Sequence, residues 1–359
     1  LADANVSAVE LMDRRSLASV SDMAGLPEFI KTLDNNVGAL LIETCAANQH
    51  LLAQQIIELE TLLSDFKQTN VIKFTDVASE YSQLWAIRKG TFPAVGAVRE
   101  TGTTVIIEDV AFPVEQLADA VAKLQALFEK YHYDEAIIFG HALDGNLHFV
   151  FTQDFSTPTE VERYQAFMDD VCQLVAVDYQ GSLKAEHGTG RNMAPFIELE
   201  WGRQGFGLMK QIKALFDPSH LLNPGVIIND DPLAHIKNLK NLPAADDIVD
   251  KCIECGFCEP VCPSKGLSLT PRQRITTYRE ISRLTASGDN PQLLSELKKD
   301  FNYLGIDTCA ATGLCAERCP VGINTGDLVR ELRHVNNAKY TGLSNKLANN
   351  FAKIEKITR

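Results

Sequence analysis

The chain has 359 residues, of which 45% are hydrophobic and 23% are charged, and its formal net charge is -13. This length allows two or three domains, and the composition is typical of a soluble folded protein rather than a disordered one. The negative charge argues against a nucleic-acid partner, because no basic surface would offset the repulsion from phosphates. No apolar run approaches the roughly 18 residues that a membrane-spanning helix needs. We expect a cytoplasmic protein, with at most a peripheral association with the inner face of the membrane.

Strand-like and helix-like segments alternate along residues 1–228. We predict strands at residues 9–12, 38–44, 71–74, 104–110, 136–139 and 147–152. Helices are predicted at residues 49–66, 77–89, 114–131 and 157–178. The strand at 38–44 is expected to be buried, and Thr159 is expected to cap the helix at 157–178. Asp144 and Gly145 form a turn dipeptide between the last two strands, which predicts a β-hairpin.

This mixture of strands and long helices predicts an α+β domain with helices on one face of an antiparallel sheet. Composition changes after residue 228, and residues 229–248 are polar and contain proline, which is typical of a linker. Residues 249–359 form a second predicted domain, with helices at 271–284 and 291–304. Apart from paired cysteine motifs in this second domain, we find no internal repeat.

Seven of the nine cysteines lie between Cys252 and Cys319. This grouping at short spacings favours metal ligands over disulfides and indicates a reducing compartment. The other two, Cys45 and Cys172, stand in apolar segments, where we expect each to be a small core residue. Residues 1–15 do not start with Met and contain no apolar core, so we predict no signal peptide there.

The first cysteine motif has the spacing C-x2-C-x2-C-x3-C-P, which is that of bacterial ferredoxins. Its members are Cys252, Cys255, Cys258 and Cys262. Three such thiolates hold one cluster, and the fourth is turned toward a different cluster. The second motif consists of Cys309, Cys315 and Cys319, and Thr312 stands where the regular repeat would place a cysteine.

Exchanging the last cysteine of each motif gives a ligand assignment. Cys252, Cys255, Cys258 and Cys319 would hold a [4Fe–4S] cluster, and Cys262, Cys309 and Cys315 would hold a second cluster with three thiolates. The second motif is similar to that of the iron–sulfur subunits of succinate dehydrogenase and fumarate reductase, where a three-cysteine motif holds [3Fe–4S]. The resemblance implies [3Fe–4S], or [4Fe–4S] with a further ligand such as the Thr312 oxygen. The segment between the motifs likewise resembles an α-helical ferredoxin domain, and two adjacent clusters form a one-electron relay.

Two histidines flank the predicted turn, and a glutamate lies farther along the chain. A hairpin brings its strands within a few ångströms, so His141 and His148 can face one ion. Glu186 offers an oxygen ligand, and two histidines with one carboxylate suit Zn²⁺ or a similar divalent metal. Taken alone, histidines on a hairpin are more often surface or core residues.

Together these segments resemble the C-terminal substrate domain of the FAD-linked oxidases, such as glycolate oxidase, D-lactate dehydrogenase and D-2-hydroxyglutarate dehydrogenase. The matching stretches are GHALDGNLH at 140–148, EHGTG at 186–190, FDP and LNPG within 216–225, and the shorter WAIR at 85–88. In the long bacterial members, a PCMH-type FAD-binding domain precedes this region. We find no sequence for that domain here, so we expect a fragment of a larger enzyme that is inactive without it.

The resemblance also implies roles for individual residues. His141, His148 and Glu186 would bind the metal, His187 would be the catalytic base, Arg88 would pair with the substrate carboxylate, and Asn146 and Asn223 would lie near substrate and flavin. The implied reaction is the oxidation of a D-2-hydroxy acid to the 2-oxo acid, with D-2-hydroxyglutarate or D-lactate favoured. Hydride passes to FAD, and electrons pass through the clusters to a quinone or a redox protein. D-2-hydroxyglutarate needs a second cation, for which Lys89, Arg99 and Lys184 are candidates.

Two other functions stay open at this point. In the first alternative, the chain is a non-catalytic iron–sulfur module that docks a flavoprotein. In the second, it is a zinc hydrolase that uses the same three ligands to activate water. The hydrolase leaves the clusters unexplained. We also expect a homo-oligomer.

Overall fold

The computed structural model describes residues 1–21, 26–34, 37–70 and 72–358. These residues form two compact units, of which the first comprises residues 1–95 and 103–241 and the second comprises residues 96–102 and 242–359. The predicted limits of the linker, 229 and 248, stay predictions. Within the described ranges, no helix has the length and apolar character that crossing a membrane would require.

The first unit is built on a five-stranded antiparallel sheet. Its strands are β1 (Ala8–Met12), β2 (Ala39–Glu43), β3 (Thr104–Ala111), β4 (Ile137–His141) and β5 (Asn146–Gln153), in the order β2-β1-β4-β5-β3. The predicted antiparallel sheet and the β4–β5 hairpin are confirmed. Gly145 closes the hairpin with φ 67°, a left-handed conformation that glycine adopts without strain.

Two strand predictions were wrong. Residues 72–74 form no strand, and Val71 lies outside the described residues. Residues 38–44 do form β2, but it is an edge strand whose residues are half-buried or exposed. Cys45 follows this edge strand and is exposed, so its predicted place in the core was also wrong, whereas Cys172 is buried.

The helices of the first unit are α1 (Arg14–Ser19), α2 (Gln49–Ser64), α3 (Ala78–Val98), α4 (Leu117–Lys130), α5 (Pro158–Cys172) and α6 (Ile197–Phe216). Helix α5 continues as a π-helical turn, Gln173–Asp178. Its N-cap is Thr157, not the predicted Thr159, because the Thr157 hydroxyl accepts the backbone N–H of Glu160 and Pro158 occupies the first helical position.

Apolar side chains pack on both faces of the sheet. On one face, Phe149 and Phe151 of β5 pack with Leu124 of α4 and Phe167 of α5. On the other face, a second core contains residues of α1, α3, β1, β4 and β5: Leu17, Ile87, Met12, Ile137, Phe139 and Val150. The prediction of helices on one face was therefore wrong. Apolar residues of β4 and β5 point to both faces of the sheet, so helices cover it on both sides.

The second unit is helical, as predicted. Its helices are α7 (Pro271–Ser287), α8 (Pro291–Phe301), α9 (Leu314–Arg318), α10 (Thr325–Asn336), α11 (Thr341–Asn349) and α12 (Phe351–Thr358). Two small apolar cores hold it together, one around Val249 and Ile275 and the other around Phe301 and Val329. Cys252 and Cys319 pack against the first of these cores, and Cys309 packs against the second.

Candidate metal centre and iron–sulfur sites

A row of polar side chains crosses one face of the sheet in the first unit. Glu10 on β1 lies opposite His141 on β4, and Asp109 on β3 lies opposite His148 on β5. Side chains of directly opposed residues in an antiparallel pair point to the same face and lie close together. The strand register therefore assembles this row from four separate strands.

The structure brings the three predicted metal ligands together. One ligand atom from each of His141, His148 and Glu186 lies within 4.8 Å of the others. The Glu186 Oε1 atom is 3.0 Å from His148 Nε2 and 3.7 Å from His141 Nε2. Two imidazole nitrogens and one carboxylate oxygen are the donors of an open zinc site, so these residues fit a divalent metal that keeps positions free for substrate.

The environment of His148 favours its neutral form. Burial, with a smaller contribution from the neighbouring His187, lowers the pKa of this imidazole to about 4. A metal ligand must be deprotonated, so His148 is in the binding form at neutral pH. Its Nδ1 atom is buried and has no hydrogen-bond partner among the described residues.

Glu10 is a site residue that the sequence analysis missed. Its side chain is only 4% exposed, and its Oε1 atom lies 2.6 Å from His141 Nδ1. Its Oε2 atom accepts a 2.7 Å hydrogen bond from Arg88 Nε. A carboxylate on the second nitrogen of a ligating histidine fixes the tautomer and orientation of the ring. The sequence signal was a single glutamate in the apolar strand AVELM, which does not reveal its partner on β4.

The substitution Glu10→Gln is expected to lower the Zn²⁺ affinity of the chain by about 10–100-fold, because the amide no longer accepts a charge-assisted hydrogen bond from His141. Competition with a chromophoric chelator measures this affinity. Glu129→Gln, which removes an exposed carboxylate from α4, is the matched control. An affinity equal to that of the control would show that Glu10 does not orient the ligand.

Asp109 fixes the loop that carries Glu186 and His187. This fully buried carboxylate accepts the backbone N–H groups of Ala185, Glu186 and His187 at 2.6, 2.8 and 2.5 Å. Burial raises the pKa of Asp109, but the three N–H groups outweigh that effect and hold the pKa below its ordinary value. Asp109 therefore stays ionised and acts as an anchor for the loop.

His187 contacts two of the three predicted ligands, His148 and Glu186. Its ring stacks on the ring of His148, with the centroids 4.9 Å apart and the planes inclined by 19°. Its Nε2 atom lies 3.7 Å from Glu186 Oε1, and its side chain is 38% exposed. Asp109, His148 and His187 also bring three ligand atoms within 4.8 Å of one another. Because the Asp109 oxygens already accept three N–H groups, we favour His141, His148 and Glu186 as the metal site.

The predicted substrate arginine, Arg88, lies on α3 and is largely buried, with its guanidinium 4.5 Å from the centre of the Phe139 ring. Its Nε atom is held by Glu10, which leaves the two Nη atoms to bind a carboxylate. Asn146, at the start of β5, is buried, and its Oδ1 atom has no hydrogen-bond partner within the described ranges. This buried acceptor is available to a ligand hydroxyl or N–H group.

Asn223 is exposed and has a left-handed backbone with φ 43°. The loop before it is held by Asp217, whose carboxylate accepts the backbone N–H groups of Leu221 and Leu222 at 2.9 Å each. No hydrogen bond joins Asn223 to the histidines in the described part of the chain. Its predicted position near a flavin stays a prediction.

The three candidates for a second substrate cation have different surroundings. Lys184 forms a largely buried ion pair with Glu108. Lys89 is exposed on α3. Arg99 belongs to the second unit, where its guanidinium donates to the backbone carbonyl groups of Asp250 and Cys252.

In the second unit, two cavities are lined by the two predicted sets of cysteines. One cavity is lined by Cys252, Cys255, Cys258 and Cys319. The other cavity is lined by Cys262, Cys309 and Cys315, together with Thr312. The last cysteine of each motif lines the cavity of the other motif, which is the arrangement of two-cluster ferredoxins. Sets of four and three thiols fit two iron–sulfur clusters.

The two motifs follow the same backbone path. Glu254 and Ala311, each two residues after the first cysteine of its motif, have φ values of 59° and 49°. Gly256 and Gly313 follow at equivalent positions with φ values of 85° and 81°. Thr312 thus occupies the place that Cys255 occupies in the first motif.

Comparison with known families identifies both regions of the chain. Residues 1–227 match the family model of FAD linked oxidases, C-terminal domain, and residues 248–323 match that of the 4Fe-4S dicluster domain. The chain therefore belongs to the FAD-linked oxidase family and carries a 4Fe-4S dicluster domain. The predicted resemblance to this family is confirmed.

Curated relatives include proteins named for 2-hydroxy acids. The chain is 29% identical to glycolate oxidase subunit GlcD of Bacillus subtilis, over 62% of this chain and 45% of that protein. It is 25% identical to D-2-hydroxyglutarate dehydrogenase of Haemophilus influenzae, over 86% of this chain and 35% of that protein. It is also 25% identical to D-lactate dehydrogenase of Anaerostipes hadrus, over 61% of this chain and 46% of that protein. The chain spans less than half the length of these relatives.

Proposed function

We propose that this chain is part of a flavin-dependent dehydrogenase that oxidises a D-2-hydroxy acid to the 2-oxo acid, with D-2-hydroxyglutarate or D-lactate favoured. Electrons pass from FAD through the iron–sulfur clusters to an acceptor, a quinone or a redox protein. The observation that carries the proposal is the convergence of His141, His148 and Glu186 beside His187. The names of the relatives support the substrate class, and the two cysteine-lined cavities support the electron path.

The residues of the site have complementary tasks. Zn²⁺ or a similar cation on His141, His148 and Glu186 would lower the pKa of the substrate's α-hydroxyl group. His187 accepts the proton of that hydroxyl group, since its partly exposed ring adjoins these ligands. The Nη atoms of Arg88 bind the substrate carboxylate while Glu10 holds the Nε atom. FAD supplies the acceptor for the hydride, which no protein side chain provides.

In the second unit, Cys252, Cys255, Cys258 and Cys319 would hold a [4Fe–4S] cluster, and Cys262, Cys309 and Cys315 would hold the second cluster. Each cluster carries one electron at a time, which suits the transfer of two electrons from a flavin in single steps. We place the whole protein in the cytoplasm, with at most peripheral contact with the inner face of the membrane, and expect a homo-oligomer.

The substitution Thr312→Cys tests the type of the second cluster. Thr312 takes the place of Cys255 in the repeated backbone path, so a cysteine there supplies the fourth thiolate of a cubane. If the native cluster is [3Fe–4S], the variant is expected to convert it to [4Fe–4S], with loss of the EPR signal of the oxidised [3Fe–4S] form. Thr312→Ser is the matched control and should leave the spectrum unchanged. If the oxidised native protein shows no [3Fe–4S] signal, the second site is instead [4Fe–4S] with a non-cysteine ligand.

Anaerobic dye reduction tests the proposed activity. A protein that contains this chain together with its flavin is mixed with D-2-hydroxyglutarate, D-lactate or glycolate, and with each L-enantiomer where one exists. Reduction by one D-acid supports the proposal and names the substrate, and the 359-residue chain alone should reduce no dye. No reduction by any of these acids would overturn it and leave the non-catalytic electron-transfer module as the function.

A further inference from the structure

The two halves of the second unit are built alike beyond their cysteines. Arg279 of α7 and Arg333 of α10 stand at the same distance from the N-caps of their helices, Thr270 and Asn324. Arg279 donates to the backbone carbonyl groups of Val249, Asp250 and Cys252. Arg333 donates to the equivalent carbonyl groups of Ile306, Asp307 and Cys309. An arginine thus holds the backbone at the first cysteine of each motif in the same way. Equivalent positions of the two halves can therefore be compared.

The two halves differ in charge at the fourth residue after each N-cap, where only the half with α7 has a charged side chain. Arg274 of α7 is 1% exposed, and its equivalent in α10, Leu328, is equally buried. The Arg274 Nη1 atom lies 3.7 Å from Cys262 Sγ, so the guanidinium lines the second cavity. Leu328 instead packs in the apolar cluster that includes Cys252 and Cys319, which belong to the first cavity.

Apart from Cys262, the hydrogen-bond partners of Arg274 are neutral groups. Its Nε atom donates to the carbonyl oxygen of Gly305 at 2.6 Å, and its Nη2 atom donates to Thr308 Oγ1 at 3.3 Å. Arg333 also donates to carbonyl groups. Neither arginine forms an ion pair with a residue in the described ranges. The second cavity therefore has a buried positive charge without a carboxylate partner.

The cations near the first cavity are balanced by carboxylates. Arg279 forms a buried ion pair with Glu254 at 2.8 Å. Arg272, which lines that cavity, pairs with Glu259 at 3.1 Å. Arg99 donates to the backbone carbonyl groups of Asp250 and Cys252, and the charges of Asp250 and Glu254 favour its ionised form. The local charge thus differs between two sites whose backbones are alike.

We propose that Arg274 tunes the second cluster and makes it the more easily reduced of the two. Reduction adds one electron to a cluster without making or breaking a bond to the protein, so the added negative charge is what the protein stabilises. A buried cation beside a ligand sulfur stabilises that charge, because the interior screens it weakly. An electron that enters the pair then resides on the cluster of Cys262, Cys309 and Cys315. This inference rests on the proposed assignment of these three cysteines to one cluster.

Potentiometric titration tests this proposal. The 359-residue chain is loaded anaerobically with both clusters and titrated with dithionite, while EPR follows each cluster. Cys315→Ser identifies the signal of the second cluster, and in the native chain its midpoint potential is expected to lie above that of the first cluster. Arg274→Gln is expected to reduce the equilibrium constant for reduction of the second cluster at least tenfold, which is 59 mV for one electron. Arg274→Lys keeps the charge and should shift the midpoint less.

Arg283→Gln is the matched control, since it removes an exposed charge from the same helix, where Arg283 pairs with Glu280. It should leave both midpoints unchanged. An unshifted second midpoint in Arg274→Gln, or equal shifts in Arg274→Gln and Arg274→Lys, would overturn the proposal. If Arg274→Gln loses the second cluster, the two midpoint potentials of the native chain decide the question. A midpoint potential of the second cluster at or below that of the first cluster would then overturn the proposal. If Cys315→Ser leaves iron content and both signals unchanged, the cluster assignment itself fails.

Discussion

The substitution His187→Ala is expected to lower the rate of substrate-dependent dye reduction by about 10²–10⁴-fold, the usual contribution of a general base. The reason is geometric, since His187 has a partly exposed ring that lies beside the predicted metal ligands His148 and Glu186. The flavin-containing protein is assayed under anaerobic conditions with the active D-acid. His50→Ala, which removes an exposed histidine from α2, is the control and should leave the rate unchanged.

Metal content distinguishes a base from a ligand at this position. In our account, His187→Ala retains its metal, because Asp109 already uses its oxygens to hold the loop that carries Glu186. A rate loss below about tenfold would contradict the role of a base. Loss of the metal would instead place His187 in the ligand set with Asp109 and His148, the other group whose atoms converge.

The substitution His148→Ala is expected to have the largest effect on the metal. We expect the Zn²⁺ affinity to fall by more than the roughly 100-fold that the loss of an outer partner costs, because a ligand itself is removed. His148 belongs to both groups of converging ligand atoms, so the expected result does not depend on which group binds the ion. The metal content after dialysis and the rate of dye reduction measure the effect.

The fold must be checked in the same variant, since the His148 ring also packs 5.4 Å from the ring of Phe139. Thermal unfolding of His148→Ala should remain cooperative, and His148→Gln offers a larger side chain with the same loss of imidazole. If either variant folds and retains stoichiometric metal at native affinity, the candidate metal centre is not formed by these residues.

Most of the fold prediction was based on local sequence patterns. The Asp144–Gly145 dipeptide predicted the hairpin, and helical periodicity predicted α2, α4, α7 and α8. The cysteine spacing predicted which thiols share a cavity, because short loops around a cluster leave little geometric freedom. The zinc-type ligand set was predicted from the hairpin and from the family resemblance together.

The features that sequence reasoning missed depend on contacts between distant segments. Glu10 reaches His141 because β1 pairs with β4, and no local pattern in either strand specifies that pairing. Helices on both faces of the sheet follow from the crossover that brings α3 to the side opposite α4 and α5. Arg274 is an ordinary helical arginine in the sequence, and only the packing of α7 against the Cys262 loop shows that its charge is buried.

In our account the metal site of the first unit and the clusters of the second unit serve one reaction, in which electrons from the substrate reach the clusters through FAD. The most direct measurement adds the active D-2-hydroxy acid anaerobically to the flavin-containing protein without any external acceptor and follows the clusters by freeze-quench EPR. Our account predicts that the clusters become reduced within the time of one turnover, and that they stay oxidised when Glu186→Gln or a zinc chelator removes the metal. Clusters that stay oxidised in the native protein after its flavin has been reduced would contradict the proposed electron path.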